Sequence, residues 1–285
     1  MKANEVIERI LTDSCGDFRL KETCDLIISG SGDTEVKGIV TTFMATVEVI
    51  LKTIEIGYNM IITHEPTYFT GSDQTGWLNG DKIYNAKKKL IDDNNIVIWR
   101  YHDHMHMAKT DRIYDGLLNE IGWKDYLVKG QKYPHCYEIE ETTLLDLARF
   151  FKKKFSMDVV QYIGNPDMKC KRVGILVGGG SLGLGKEEMP MELMRKMDLD
   201  VVVCGEITEW TLCAYVNDAM MLGFNKGMIV LGHERTEEWG MKYMADWLKP
   251  LVKGIPVTFI SADEPFGYIT KFLRKQANKN GTITG

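Results

Sequence analysis

At 285 residues the chain is long enough for two ordinary domains or for one large α/β domain with an insertion. Its composition, 44% hydrophobic and 26% charged, is that of a globular protein rather than a disordered or fibrous one. Lys+Arg 35 against Asp+Glu 40 gives a net charge of -5 with no dense basic stripe, which argues against nucleic acid as a partner.

The opening stretch MKANEVIERILTDSCGDF reads as an amphipathic helix and lacks the basic and apolar regions of a signal peptide. No apolar run approaches the ~18 residues of a membrane span. Cys15, Cys24, Cys136, Cys170, Cys204 and Cys213 form no CxxC pair and suit reduced thiols, so a cytoplasmic protein without a membrane partner is expected. Next, the Val- and Ile-rich runs GIVTTF, NMIITH and NIVIWRY alternate with the helical patterns TVEVILKTIEIG and KIYNAKKKLIDD, the signature of βαβ units around a largely parallel sheet. The helix DRIYDGLLNEIG closes at Gly122. Pro134 and its polar surroundings mark a boundary near residue 130. A second α/β run follows, from the helix TTLLDLARFFKKKF through RVGILVG, MPMELMRKM, DLDVVVC, TLCAYVNDAMMLG and GMIVLG to IPVTFIS, and the polar tail 274–285 reads as frayed.

Three short segments, each just after an expected strand, hold five of the six histidines. In IITHEPTYF, His64 and Glu65 are adjacent and Pro66 fixes a loop, so the pair can serve two neighbouring metal ions or stand as a solvated pair. In WRYHDHMH, a continuing strand puts His102, His104 and His106 on one side, whereas a helix pairs His102 with His106 and turns His104 away. In VLGHERTEEWGM, a helix beginning at about Arg235 or Thr236 lets His233 and Glu237 face one point, though a plain surface helix fits equally. His135 is left over as a solvated loop residue. The loop VGGGSLGLGKE fits GxGxxG at Gly178, Gly180 and Gly183, but Glu187 stands where a phosphate loop needs Ser or Thr; a tight turn bringing backbone close to another element is the better reading.

With these segments assembled, the chain resembles the Nif-three-like family, the GTP cyclohydrolase I type 2 homologues. GYNMIITHEPTYF, WRYHDHMHMAKTDRIYDGL, VGILVGGGS, DVVVCGEITEW and VLGHERTEEWGM each resemble a family block. The resemblance implies two α/β domains, with mixed, mostly parallel sheets flanked by helices. Residues 1–130 together with 226–285 would form the metal-binding domain and 131–225 an inserted one. It also implies a homo-hexamer and two divalent metal ions per subunit, with zinc, iron or manganese suiting mixed nitrogen and oxygen ligands. The family's ligands fall on His64, Glu65, His106, His233 and Glu237, with Glu237 the bridging candidate and His102 on an earlier histidine of the same stretch.

Two of these positions are reciprocal departures. Glu65 replaces a histidine and His106 replaces a carboxylate, so three imidazoles and two carboxylates are kept; Asp103 or His104 could replace His106. Met44 stands where the family carries an aspartate, and Glu209 and Trp210 where a histidine is common. The implied activity is that of a metal-dependent hydrolase on a small-molecule substrate such as a nucleotide or phosphoester, with His102 or His104 as orienter or general acid. The alternative is a non-catalytic hexameric metal-binding or regulatory assembly.

Overall fold

Short runs of Val and Ile broken by Gly, Asn and Asp are too brief for helices and too apolar for surface loops. They fold as strands buried on both faces, as parallel sheets require. The computed structural model describes residues 1–131 and 135–269. Pro134 and the tail 274–285 fall outside these residues.

The first sheet contains β1 (Ile27–Ser29), β2 (Ile39–Thr42), β3 (Met60–Thr63), β4 (Val97–Arg100) and β10 (Val257–Phe259) in the order β1-β4-β3-β2-β10. Only β1 runs antiparallel to its neighbour. Around it lie α1 (Ala3–Cys15), α2 (Val47–Glu55), α3 (Lys82–Asp93), the single turn α4 (Asp103–His106) and α5 (Arg112–Ile121). Thr46, Asp81 and Asp111 cap α2, α3 and α5 by accepting backbone N–H bonds, and Gly122 closes α5 in the left-handed region.

The second sheet contains β5 (Cys136–Thr143), β6 (Gln161–Ile163), β7 (Lys169–Leu176), β8 (Val201–Cys204) and β9 (Gly227–Val230), ordered β5-β7-β8-β9-β6. Its three central strands are parallel and its edges antiparallel. It carries α6 (Leu144–Lys154), α7 (Met189–Lys196) and α8 (Ala214–Met221). The sequence reading places residues from 226 onward with the first sheet. β9 instead pairs with β8, because a buried Gly-Met-Ile-Val run has both its neighbours there, and the chain returns to the first sheet only after Val230.

That return is α9 (His233–Leu248), which starts two residues earlier than the sequence suggests. It packs between the sheets: Thr41 Oγ1 on β2 donates to the Met241 carbonyl, and its glycine Gly240 meets Gly116 of α5 so closely that a Cβ on Gly116 would lie 2.5 Å from the Gly240 Cα. One apolar core runs from Val6 and Ile39 through Ile113 and Met241 to Val173 and Val201, tying both sheets together. Among the described residues no helix is long and apolar enough to cross a membrane.

Candidate metal centre

Strands β3 and β4 are parallel neighbours, so the loops at their carboxyl ends emerge side by side. The first loop carries His64 and Glu65; the second carries Tyr101 and His102 into α4. Asp25 decides the conformation of that turn. Its carboxylate accepts the backbone N–H groups of His102, Asp103 and His104 at 2.7, 2.8 and 2.9 Å, satisfying donors a helix start leaves open. The helical alternative is therefore the observed one: His102 and His106 share a face, and His104 leaves it.

Both ring nitrogens of His104 are engaged elsewhere, Nδ1 donating to Asp25 (2.7 Å) and Nε2 accepting the Leu20 N–H (3.1 Å). Asp25 thus accepts four hydrogen bonds while its side chain is 1% exposed. Asp25→Ala is expected to cost about 3 kcal/mol, the sum of a lost cap and buried charge-assisted bonds. It should also weaken metal retention by freeing His102 and His106; urea denaturation and metal content check the two effects separately.

The remaining imidazoles converge. The ring centroids of His64 and His102 are 4.5 Å apart, those of His64 and His106 5.1 Å, and those of His102 and His106 5.0 Å. Each ring is held from behind at Nδ1: His64 donates to the Tyr101 carbonyl (3.2 Å), His102 to Asp103 (2.9 Å) and His106 to Asp111 (2.8 Å). That arrangement fixes the tautomer and points Nε2 forward, as outer partners do for metal-binding histidines.

Across from them, the first turn of α9 supplies His233 and Glu237. Glu237 Oε2 lies 2.9 Å from His233 Nε2 and 3.4 Å from His64 Nε2, while Glu65 Oε1 lies 3.3 Å from His233 Nε2 and 3.7 Å from His102 Nε2. Two donor triads have all their ligand atoms within 4.8 Å of one another: His64, His102, His106 and His64, Glu65, Glu237. A third, Cys24 with His102 and Asp103, lies behind His102, and its members are already hydrogen-bonded through Asp103.

The electrostatics are those of a site built for cations. Burial disfavours the charged form of His233, yet its bonds to Glu237, Glu65 and Glu206 push its pKa up to about 11. Burial works the same way against Glu237, and His233 and His64 overcome it to hold that carboxyl far below its usual range. His102, buried beside His64 and His106, is pushed down to about 4 and stands neutral, as a ligand must. The observation that tests the fit of a metal most directly is His64 Nε2. It is buried, makes no hydrogen bond and faces the Glu237 carboxylate. With its Nδ1 bonded to the Tyr101 carbonyl, His64 presents at Nε2 a buried lone pair facing a carboxylate, which lacks the electron acceptor that a divalent ion supplies.

The Duf34/NIF3 (NGG1p interacting factor 3) family model matches residues 1–265. The chain belongs to this family. Two relatives named "GTP cyclohydrolase 1 type 2 homolog" resemble it: that of Clostridium acetobutylicum is 29% identical over 76% of this chain and 79% of its own length, and that of Clostridium perfringens is 25% identical over 83% and 87%. Among solved structures, Staphylococcus aureus hypothetical protein SA1388 superposes with a TM-score of 0.71 at 22% identity, covering 94% of this chain and 100% of its own. The Bacillus cereus protein related to NIF3 does so with 0.70 at 15%, covering 94% and 99%. These two share the fold.

In this Duf34/NIF3 chain the two positions expected from the sequence to be exchanged ligands are each backed by a compensating charge. Glu65 pairs with Arg100 (3.4 Å), and His106 has Asp111 directly behind it. Sequence reasoning missed four supports. Glu206, after β8, accepts from His233 Nδ1 at 2.9 Å, Asp25 and Asp111 act as above, and the glycine loop closes over the centre. Gly178 has a φ of 50° and donates its N–H to Thr236, and a Cβ there would fall 2.7 Å from His233 Nε2. The loop is the tight turn expected, packed against the metal centre. His135, expected in solvent, is half-buried in the cleft wall near Tyr114. Glu209 and Trp210 lie in a short irregular turn, and Trp210 is exposed.

The centre forms the meeting point of two clefts. A cleft of 1090 Å³ reaches it at Glu65 and His233. Another, of 860 Å³, reaches it at Glu65, His102, His106, His233 and Glu237.

Proposed function

We propose that the chain binds two divalent transition-metal ions and hydrolyses a small molecule at them. The observation that carries this reading is the buried His64 Nε2, which makes no hydrogen bond among two carboxylates and three further imidazoles. His64, His102 and His106 would hold one ion, and Glu65, His233 and Glu237 the other, with Glu237 placed to serve both. Bound there, such ions supply Lewis acidity toward a substrate oxygen and toward water. The chain's own residues do the rest. Tyr101, Asp103, Asp111 and Glu206 keep each imidazole turned toward the centre, Arg100 holds Glu65, and the clefts admit the substrate.

This reading revises two roles. His102 is proposed as a ligand rather than as the general acid, and His104 as a strut for α4. The name of the clostridial relatives suggests a purine nucleotide as one substrate to test. The non-catalytic alternative draws support from how enclosed the centre is, with His64 0% and Glu237 3% exposed. The clefts favour catalysis.

Metal-loaded and chelated protein incubated with GTP and a panel of phosphoesters separates the two readings. Turnover that needs the metal and falls about a hundredfold or more in Glu237→Gln supports the enzyme. Full metal loading with no turnover of any compound supports the assembly. The hexamer, implied by the resemblance, is tested by light scattering, where six times the 32.5 kDa chain mass is expected.

A further inference from the structure

The loop after Glu65 holds a group that the metal centre does not use. Lys87, on α3, is 7% exposed, yet among the described residues its ammonium makes no ion pair and one hydrogen bond, to the Thr67 carbonyl at 2.7 Å. A lysine carries three donors, and a buried ammonium without a counter-ion is costly. The consequence shows in its pKa, which burial pushes down to about 8 against the opposing charge of Asp73.

On the same loop, Thr67 Oγ1 and Thr70 Oγ1 are both buried and make no hydrogen bond. Thr67, Thr70 and Lys87 all line the wider cleft, with Glu65 and His233. Between the two threonines, Phe69 has its ring 5.4 Å from the ammonium and a φ of 68°. That left-handed conformation is strained for a bulky residue and collects at ligand sites. Asp73, whose charge acts on Lys87, lies outside the cleft wall: its Oδ1 accepts the N–H groups of Thr67 and Tyr68, and its Oδ2 is buried without a hydrogen bond.

We propose that Lys87, Thr67 and Thr70 form a phosphate subsite in the wall of the wider cleft, entered by displacement of the Phe69 ring. Two unspent ammonium protons and two hydroxyls offer up to four donors from three side chains, which suits a tetrahedral oxyanion better than a planar carboxylate. This rests on the hydrolase reading: the subsite receives the phosphate of a ligand whose reacting end lies at Glu65 and His233. It therefore narrows the substrate class to phosphorylated compounds.

The competing explanation makes Lys87 a strut that shapes the loop through the Thr67 carbonyl. Calorimetric titration of the metal-loaded full chain with inorganic phosphate separates the two. Saturable binding is expected, weakened about tenfold in Thr70→Val and lost in Lys87→Met, with metal content unchanged in both. Thr70→Val leaves the Lys87–Thr67 bond in place, so it decides the matter even where Lys87→Met does not fold. The titration is repeated on Glu237→Ala, which removes the metal reading's key ligand. Binding that persists there and still depends on Thr70 supports the subsite even if the metal reading fails. No binding to the parent chain, affinity unchanged in Thr70→Val, or binding lost only with Glu237→Ala would overturn the proposal, the last because it puts phosphate at the metal centre alone.

Discussion

Gly178→Ala is expected to strip the metal centre, although the residue carries no donor atom. An alanine Cβ at this position would overlap the Glu237 carboxylate, lying 2.6 Å from its Cδ, and would lie 2.7 Å from His233 Nε2. A flexible carboxylate on a surface would swing away, but Glu237 is buried, and the Gly205 backbone packs so closely on Gly178 that a Cβ on Gly205 would strike the Gly178 carbonyl. Neither the turn nor the carboxylate has room to yield. The left-handed backbone at φ 50° adds about 1 kcal/mol of strain for any other residue. Together with overpacking, a loss of about 3 kcal/mol in chemical denaturation is expected, and metal affinity should fall by ~10- to 100-fold. Gly185→Ala is the control. Gly185 also has positive φ (90°) but nothing within 4 Å of a built Cβ, so it should cost about 1 kcal/mol and leave metal content intact.

Glu237→Ala is expected to have the larger effect on metal content, with a stability cost that grows on metal loading. Its carboxylate is the group shared by His64 and His233, and it sits with no exposed surface to relax into. Removing it leaves the buried His64 and half-buried His233 imidazoles facing each other across a cavity. In metal-free protein the loss of one partner from a buried ionic cluster costs about 3–5 kcal/mol. In loaded protein the parent gains the binding free energy of the ions and the variant does not, so the gap between them should widen on adding metal. Urea denaturation with and without chelator measures both. A gap that stays the same with and without metal would count against Glu237 as a ligand.

Much of this site was legible in the sequence because strands and histidines are local signals. NMIITH and NIVIWRY ended where they were expected to end, and placing His64, Glu65 and His102 at the carboxyl ends of parallel strands followed from that. What was not legible depended on residues far apart in the chain. Whether WRYHDHMH continues as a strand or turns helical is settled by Asp25, some 77 residues earlier, whose carboxylate caps the turn. The swap of Glu65 and His106 looked like a balance of charges within the ligand set. The structure adds that each is stabilised from outside, by Arg100 and Asp111, and only the second of these is near its partner in sequence. Likewise, a glycine-rich loop resembling a phosphate loop gave no hint that Gly178 touches Glu237, because that contact joins β7 to α9. Which sheet GMIV joins was not legible for a related reason: it is an apolar run that suits either sheet, and only its pairing with β8 assigns it.

Elemental analysis by plasma mass spectrometry, on protein purified without a metal-affinity tag, tests the central claim most directly. About two transition-metal ions per chain are expected, falling in Glu65→Ala and in His106→Ala, one carboxylate and one imidazole of the proposed ligand set. Parent protein that holds no metal even after reconstitution, or that holds it equally in both variants, would contradict the assignment of these side chains to a shared metal centre.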